Sequence, residues 1–89
     1  VSDTGFILND LDAAFASAQF ERDVTHPATG RFMYSIYRLD DVYYAHAWDV
    51  NVPRVQLYRS EGGIGRQVAK VPGARVLRDA EGRCTLVRP

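Results

Sequence analysis

Residues Phe32 to Trp48, Phe-Met-Tyr-Ser-Ile-Tyr-Arg-Leu-Asp-Asp-Val-Tyr-Tyr-Ala-His-Ala-Trp, constrain the fold of this chain more than any other stretch. Two runs rich in aromatic and β-branched residues flank the pair Asp40-Asp41. Bulky side chains suit a pleated surface and Asp tolerates the backbone angles of tight turns, so the segment reads as a β-hairpin. Six of the ten aromatic residues lie within it, which makes this hairpin the expected centre of the core and the expected place of a binding face.

Register decides how those side chains are shared between two faces. A three-residue loop, Leu39 to Asp41, places Phe32, Tyr34 and Ile36 with Val42, Tyr44, His46 and Trp48. Met33, Ser35 and Tyr37 then share the other face with Tyr43, Ala45 and Ala47. A one-residue slip would exchange the faces. The three-residue loop segregates large residues from small ones and leaves Ala45 and Ala47 room for a closely packed element.

Around the hairpin, apolar residues at Leu11, Ala14, Phe15 and Ala18 follow the i, i+3, i+4, i+7 pattern of one helical face. Asn9 and Asp10 are N-cap candidates, and Asp12 adds negative charge where the helix dipole favours it. The spacing predicts a helix over about 10–22. Thr25 to Gly30 reads as a loop, with Pro27 disfavouring helix at His26 and Gly30 permitting the return into a strand. Asn51-Val52-Pro53 turns the chain into a third strand, Arg54 to Tyr58. Glu61 to Gly65 reads as a flexible loop, and Gln67 to Val71 as either a helical turn or a short strand ending at Pro72-Gly73. Arg75–Arg78 and Arg83–Val87 form a second hairpin around Asp79-Ala-Glu-Gly82, with Gly82 in the left-handed position. The fold class expected is α+β: one N-terminal helix packed on a mostly antiparallel sheet of about five strands, in a single small domain over 1–89.

Eleven basic residues balance eleven acidic ones, so an excess of cations able to neutralise phosphates is missing and nucleic acid is not the favoured partner. The charges are unevenly spread. Residues 1–30 hold five acidic residues and one Arg, whereas from Arg54 onward eight basic residues face three acidic ones. Internal pairing of the two halves is expected. The single cysteine, Cys84, excludes an internal disulfide and fits a reducing, cytoplasmic setting. No apolar run approaches the length of a membrane span and no signal-like segment leads the chain, which points to a soluble protein. It opens on Val1 rather than Met, as a processed or trimmed sequence does, which leaves a removed leader or a larger parent protein open.

His26 and His46 are the residues able to act as an acid/base pair near neutral pH. The alternative makes His46 a half-buried member of an aromatic strand and His26 a loop residue before proline, and this is the favoured reading. No HxH or HExxH spacing exists, so neither a metal nor a cofactor is expected. Cys84 alternates with Leu86 in a strand pattern and reads as a small buried residue rather than a nucleophile. Gly62-Gly-Ile-Gly65-Arg66 has the glycines of an anion-cradling loop but not its lysine or hydroxyl, and reads as a connection.

The strongest candidate site is the aromatic set itself. Tyr34, Tyr44, Trp48 and Tyr58, with Tyr37 and Tyr43, offer amphipathic rings of the kind enriched at interfaces. Arg31, Arg38, Arg54 and Arg59 are interleaved with them, able to pair with carboxylate or phosphate or to stack on rings. Five tyrosines exceed what an interior can satisfy, so at least two are expected to be exposed.

A helix followed by arginine-rich antiparallel strands, with Arg31, Arg38 and Tyr44 near His46, resembles the layout of small bacterial ribonuclease toxins of the RelE/barnase type over about residues 10–60. That resemblance implies RNA cleavage by a few Arg, His or Tyr side chains on a sheet face. The residues themselves contain no chemically complete catalytic set, which leans away from an enzyme. The function expected is a small protein-binding module, such as an inhibitor, an immunity-like protein or an accessory subunit. Its partner would be another protein or a second copy, bound by Tyr34, Tyr44, Trp48, Tyr58, Arg38 and Arg59. The alternative is a ribonuclease with His46 as acid/base and Arg38 or Arg59 on phosphate. A small-ligand domain is a third class.

Overall fold

The computed structural model describes residues 11–49 and 51–88. Helix α1 spans Leu11–Ala16 and is followed by strands β1 (Gln19–Thr25), β2 (Phe32–Arg38), β3 (Tyr43–Trp48), β4 (Arg54–Glu61), β5 (Ile64–Pro72), β6 (Arg75–Arg78) and β7 (Cys84–Val87). Strands β1 to β5 form one antiparallel sheet in sequence order, and β6 and β7 form a separate two-stranded sheet. The expected α+β class, N-terminal helix and five-stranded antiparallel sheet are therefore present, with the C-terminal hairpin as an added small sheet.

The helix is shorter than its periodicity predicts. It ends at Ala16, and Ala18 N–H donates to Phe15 O at 3.1 Å in a tight last turn. Residues 19–25, read in part as helix, are strand β1 instead. Helix propensity is a weak prior, and pairing with β2 satisfies this segment's backbone and lets Phe20 meet the Tyr37 ring edge-on at 5.8 Å. The N-cap candidates Asn9 and Asp10 lie outside the described residues.

Asp40 makes the turn of the central hairpin by accepting from the N–H groups of Val42 and Tyr43 at 2.8 and 2.7 Å. Leu39 N–H donates to Tyr43 O, so the loop is Asp40 to Val42 rather than Leu39 to Asp41. Tyr34 consequently lies opposite Trp48, Ile36 opposite His46 and Arg38 opposite Tyr44. The pairing has moved by two residues in sum, which preserves parity, so Tyr34, Ile36, Tyr44, His46 and Trp48 share one face and Ser35, Tyr37, Tyr43, Ala45 and Ala47 the other. Phe32, expected with Tyr34, instead lines the core-side clefts with Ser35 and Tyr37, past the irregularity where Val24 and Thr25 face Tyr34 and Phe32.

Gly62 and Gly63 are the two turn residues between Glu61 and its partner Ile64, each with positive φ (59° and 84°). A two-residue hairpin turn of primed type demands this. The stretch read as a flexible loop is thus a tight turn, and Gln67–Val71 belongs to strand β5. Gly82 has the left-handed φ, 85°, expected of it.

The small-residue face forms the core. Ala45, Val55 and Leu57 are completely buried, with Tyr37, Tyr43 and Ala47 beside them. Strand β6 lies against β3 and β4, while α1 packs on β7 and sinks Phe15 completely into the same cluster as Cys84 and Leu86. The C-terminal hairpin therefore closes the alanine side of the sheet and does not curl against the aromatic side. Cys84 is a buried apolar residue, its thiol pushed up by burial. Arg88 reaches Asp12 at 3.6 Å, one instance of the expected pairing between the basic end and the acidic beginning.

Pairing is irregular at three points, one of them where Val24 and Thr25 face Tyr34 and Phe32 and Met33 is the extra residue of β2. Phe20 and Arg22 face Tyr37 and Ile36, consecutive residues of β2, so Glu21 is an extra residue bulged out of β1. Leu57 and Tyr58 face Ala69 and Gln67, which makes Val68 the extra residue of β5.

Candidate functional site

Alternation along β2, β3 and β4 gathers Tyr34, Tyr44, His46, Trp48, Gln56 and Tyr58 on the side of the sheet away from the core. Their rings lean on one another. Tyr34 stacks on His46 with centroids 4.3 Å apart and planes at 18°, and Tyr44 on Tyr58 at 5.3 Å and 13°. His46 also lies 4.5 Å from Tyr58, and Tyr34 lies 4.7 Å from Trp48. Gln56 Oε1 accepts from Trp48 Nε1 at 3.0 Å and from the Tyr58 hydroxyl at 2.9 Å. The Arg54 guanidinium caps the Trp48 ring at 3.9 Å. Three strands thereby build one continuous layer in which each ring lies against at least one neighbouring ring or guanidinium.

That packing corrects the expectation of two exposed tyrosines. Tyr37 and Tyr43 are buried in the core, and Tyr34, Tyr44 and Tyr58 are half-buried because each ring shelters its neighbour. Of the six residues expected to bind, Tyr34, Tyr44, Trp48, Tyr58 and Arg38 share this face. Arg59 does not. It pairs with Tyr43, adjacent to the Tyr44–Tyr58 pair, so it projects to the opposite side, where Nη1 donates to the Tyr43 hydroxyl at 3.1 Å and Nε lies 3.5 Å from Glu61. Arg31 belongs to the β1–β2 loop region and lines a different cleft, with His26, Thr29, Phe32, Met33 and Asp49.

His26 takes no part in the ring layer. Its Nδ1 accepts from Ala28 N–H at 3.1 Å, the role of a turn residue, and the two histidines line different clefts. The His46 side chain makes no hydrogen bond among the described residues. Burial first, then the Arg22 guanidinium, holds its imidazole below the usual value of 6.5. The folded ring is neutral at pH 7. As the pH drops through about 6.5, the unfolded chain takes up its proton before the folded one does, so stability falls until the folded ring protonates. One such group contributes a slope of at most about 1.4 kcal/mol per pH unit. Thermal unfolding followed between about pH 7.5 and 5.5 should therefore show wild type losing stability faster than His46→Gln; parallel curves would remove this role for His46.

One contributor is invisible in the sequence reading. Arg22, grouped there with the helix, lies on the ring face because the Glu21 bulge turns two successive β1 residues to the same side. Glu21, Arg22, Arg38, Tyr34, Tyr44, His46 and Ser60 line a cleft of about 330 Å³ with Ile36 and Val42 in its wall. Glu21 Oε1 holds Arg38 Nε at 2.8 Å.

A larger cleft, about 630 Å³, opens on the core side between β2 and the β6–β7 hairpin. Its polar groups are engaged internally: Ser35 Oγ donates to Asp23 Oδ1 at 2.5 Å, Asp79 Oδ1 accepts from the N–H groups of Glu81 and Arg83, and Arg78 covers the Phe20 ring at 3.8 Å. Among the described residues no group of three His, Cys, Asp or Glu side chains could hold a metal ion, and no helix is long and apolar enough to cross a membrane.

Set against known protein families, curated proteins and solved structures, the chain matches none. The ribonuclease-like layout therefore has only the order of elements behind it, and the helix on which it drew stops at Ala16.

Proposed function

We propose that this chain is a small protein-binding module whose contact surface is the ring layer of β2, β3 and β4. The observation that carries this reading is the closure of the rings upon each other. A nucleic-acid platform needs open ring faces on which bases stack. Here the Tyr34 ring rests on His46, Tyr44 on Tyr58, and Trp48 lies under Arg54, which leaves hydroxyls, ring edges and guanidinium groups to meet a partner. Such amphipathic edges beside arginine are the composition of protein interfaces. The ribonuclease alternative would use His46 as base with Arg38 on phosphate in the same cleft, but Arg38 and the one carboxylate there, Glu21, are tied to each other, Arg59 lies on the opposite side of the sheet, and the covered rings offer no open face to a nucleobase.

The test uses variants placed by the structure on either side of the sheet. Trp48→Ala and Tyr58→Ala should each weaken partner capture by about 2 kcal/mol, roughly 30-fold, with the fold retained by circular dichroism. Arg59→Ala, on the other side, should leave capture unchanged. Equal loss in all three variants, or capture of oligonucleotide in place of protein, would sink the reading.

A further inference from the structure

The cleft beside the ring layer has a polarity that the neutral chain as a whole conceals. Arg22, Arg38, Arg54 and Lys70 all fall on the ring side of the sheet by strand pairing, opposite or beside Ile36, Tyr44, Trp48 and Gln56. The one carboxylate that lines the cleft, Glu21, is spent on Arg38. Among the described residues the other carboxylates do not line it: Asp23 bonds to Ser35 of the core face, Asp40 and Asp49 cap turns, Asp41 sits in the β2–β3 loop, Glu61 pairs with Arg66, Asp12 lies on α1, and Asp79 and Glu81 belong to the β6–β7 turn. One side of the sheet is thus cationic.

Within the cleft, several donors are unspent. The Arg22 guanidinium makes no ion pair or hydrogen bond among the described residues, and neither do the hydroxyls of Tyr34, Tyr44 and Ser60. Arg38 is anchored through Nε on Glu21 at 2.8 Å and donates from Nη1 to Asp40 O at 3.4 Å, which fixes its guanidinium and leaves the remaining Nη hydrogens as donors. An Arg held in this way is preorganised for a bidentate acceptor.

We infer that this cleft receives the carboxylate of an Asp or Glu side chain of the partner protein, gripped by Arg22 and Arg38 with the Tyr44 and Ser60 hydroxyls beside them. The inference rests on the protein-binding reading and names what that partner presents. Charge complementarity selects an acidic segment, and the covered rings disfavour a nucleic acid as the source of the anion. His46 lies in the same cleft, faced by Arg22 from β1, Tyr34 from β2 and Tyr58 from β4, with Tyr44 on its own strand. An anion seated there favours the imidazolium, and by linkage protonation of His46 strengthens the hold on the anion.

The probe is a tetra-glutamate peptide blocked at both ends, titrated into the whole protein at low ionic strength and followed by amide and arginine Nε–H NMR signals. Signals of Arg22, Arg38, Tyr44 and Ser60 should shift saturably, and the peptide should bind more tightly as pH falls through the His46 transition. Arg22→Gln should abolish the shifts at Tyr44 and Ser60 while the rest of the spectrum persists, and Lys70→Gln should preserve them. Equal shifts with a tetra-glutamine peptide, or no saturation, would overturn the assignment. So would tighter occupation of the same signals by inorganic phosphate or by oligouridylate, the phosphate in that case pointing to a free anion and the oligonucleotide to RNA. Trp48 and Tyr58 do not line the cleft, so failure here is separable from failure of their capture test.

Discussion

Phe15→Ala is expected to destabilise the protein by about 3–5 kcal/mol, the usual cost of emptying a fully buried aromatic site. Phe15 has no exposed surface, and it is the one buried residue of α1. A six-residue helix is far below the length at which a helix persists in water, so α1 holds its form only through packing against β7. Losing the anchor should therefore release the segment as well as hollow the core. For a chain of this size the melting temperature should fall on the order of 20 °C, and the amides of α1 should exchange at rates close to those of an unfolded peptide. A decrease smaller than about 1 kcal/mol would mean that α1 does not close the core.

Leu57→Ala should cost about 2–5 kcal/mol, because Leu57 is completely buried at the centre of the sheet between Ala45 and Ala69. The instructive comparison is Leu77→Ala. Leu77 also sits in a strand, but half of its surface is open (52 %), and its truncation should stay within about 0.5 kcal/mol of wild type. Denaturant melts of the two variants measure which side of each strand carries the fold. Similar losses from both would contradict the placement of the core on the alanine side.

The two faces of the central hairpin were legible from residues alone, because side-chain alternation depends on parity and survives a register error of two. Asp40-Asp41 marked the turn, and Ala45 and Ala47 marked the side that needs room. Strand β1 was not legible. Leu11, Ala14, Phe15 and Ala18 carry a helical rhythm straight into Gln19–Arg22, and only the hydrogen-bonding partner β2 breaks it. Arg22 was lost to the site with it. Arg59 was a different kind of miss: it follows Tyr58, so the two cannot share a strand face, and alternation already visible in Arg54-Val-Gln-Leu-Tyr-Arg59 separates them. Gly62-Gly63 between two alternating runs likewise carried the signature of a two-residue hairpin, obscured by reading five residues as one flexible unit.

The bulges at Glu21 and Val68 bear on how copies of this protein meet. They fall on β1 and β5, the two rims of the five-stranded sheet, where free N–H and C=O groups would otherwise invite another strand to add on. Beside the bulges stand Glu21, Arg22 and Asp23 on one rim and Arg66, Lys70 and Pro72 on the other. Interrupted spacing and charge at both rims oppose growth of the sheet sideways into a fibre or a strand-exchanged pair. Association through the ring face, as proposed above, would be broadside to this sheet, and its rims let that face be rich in aromatics without the usual hazard of strand addition.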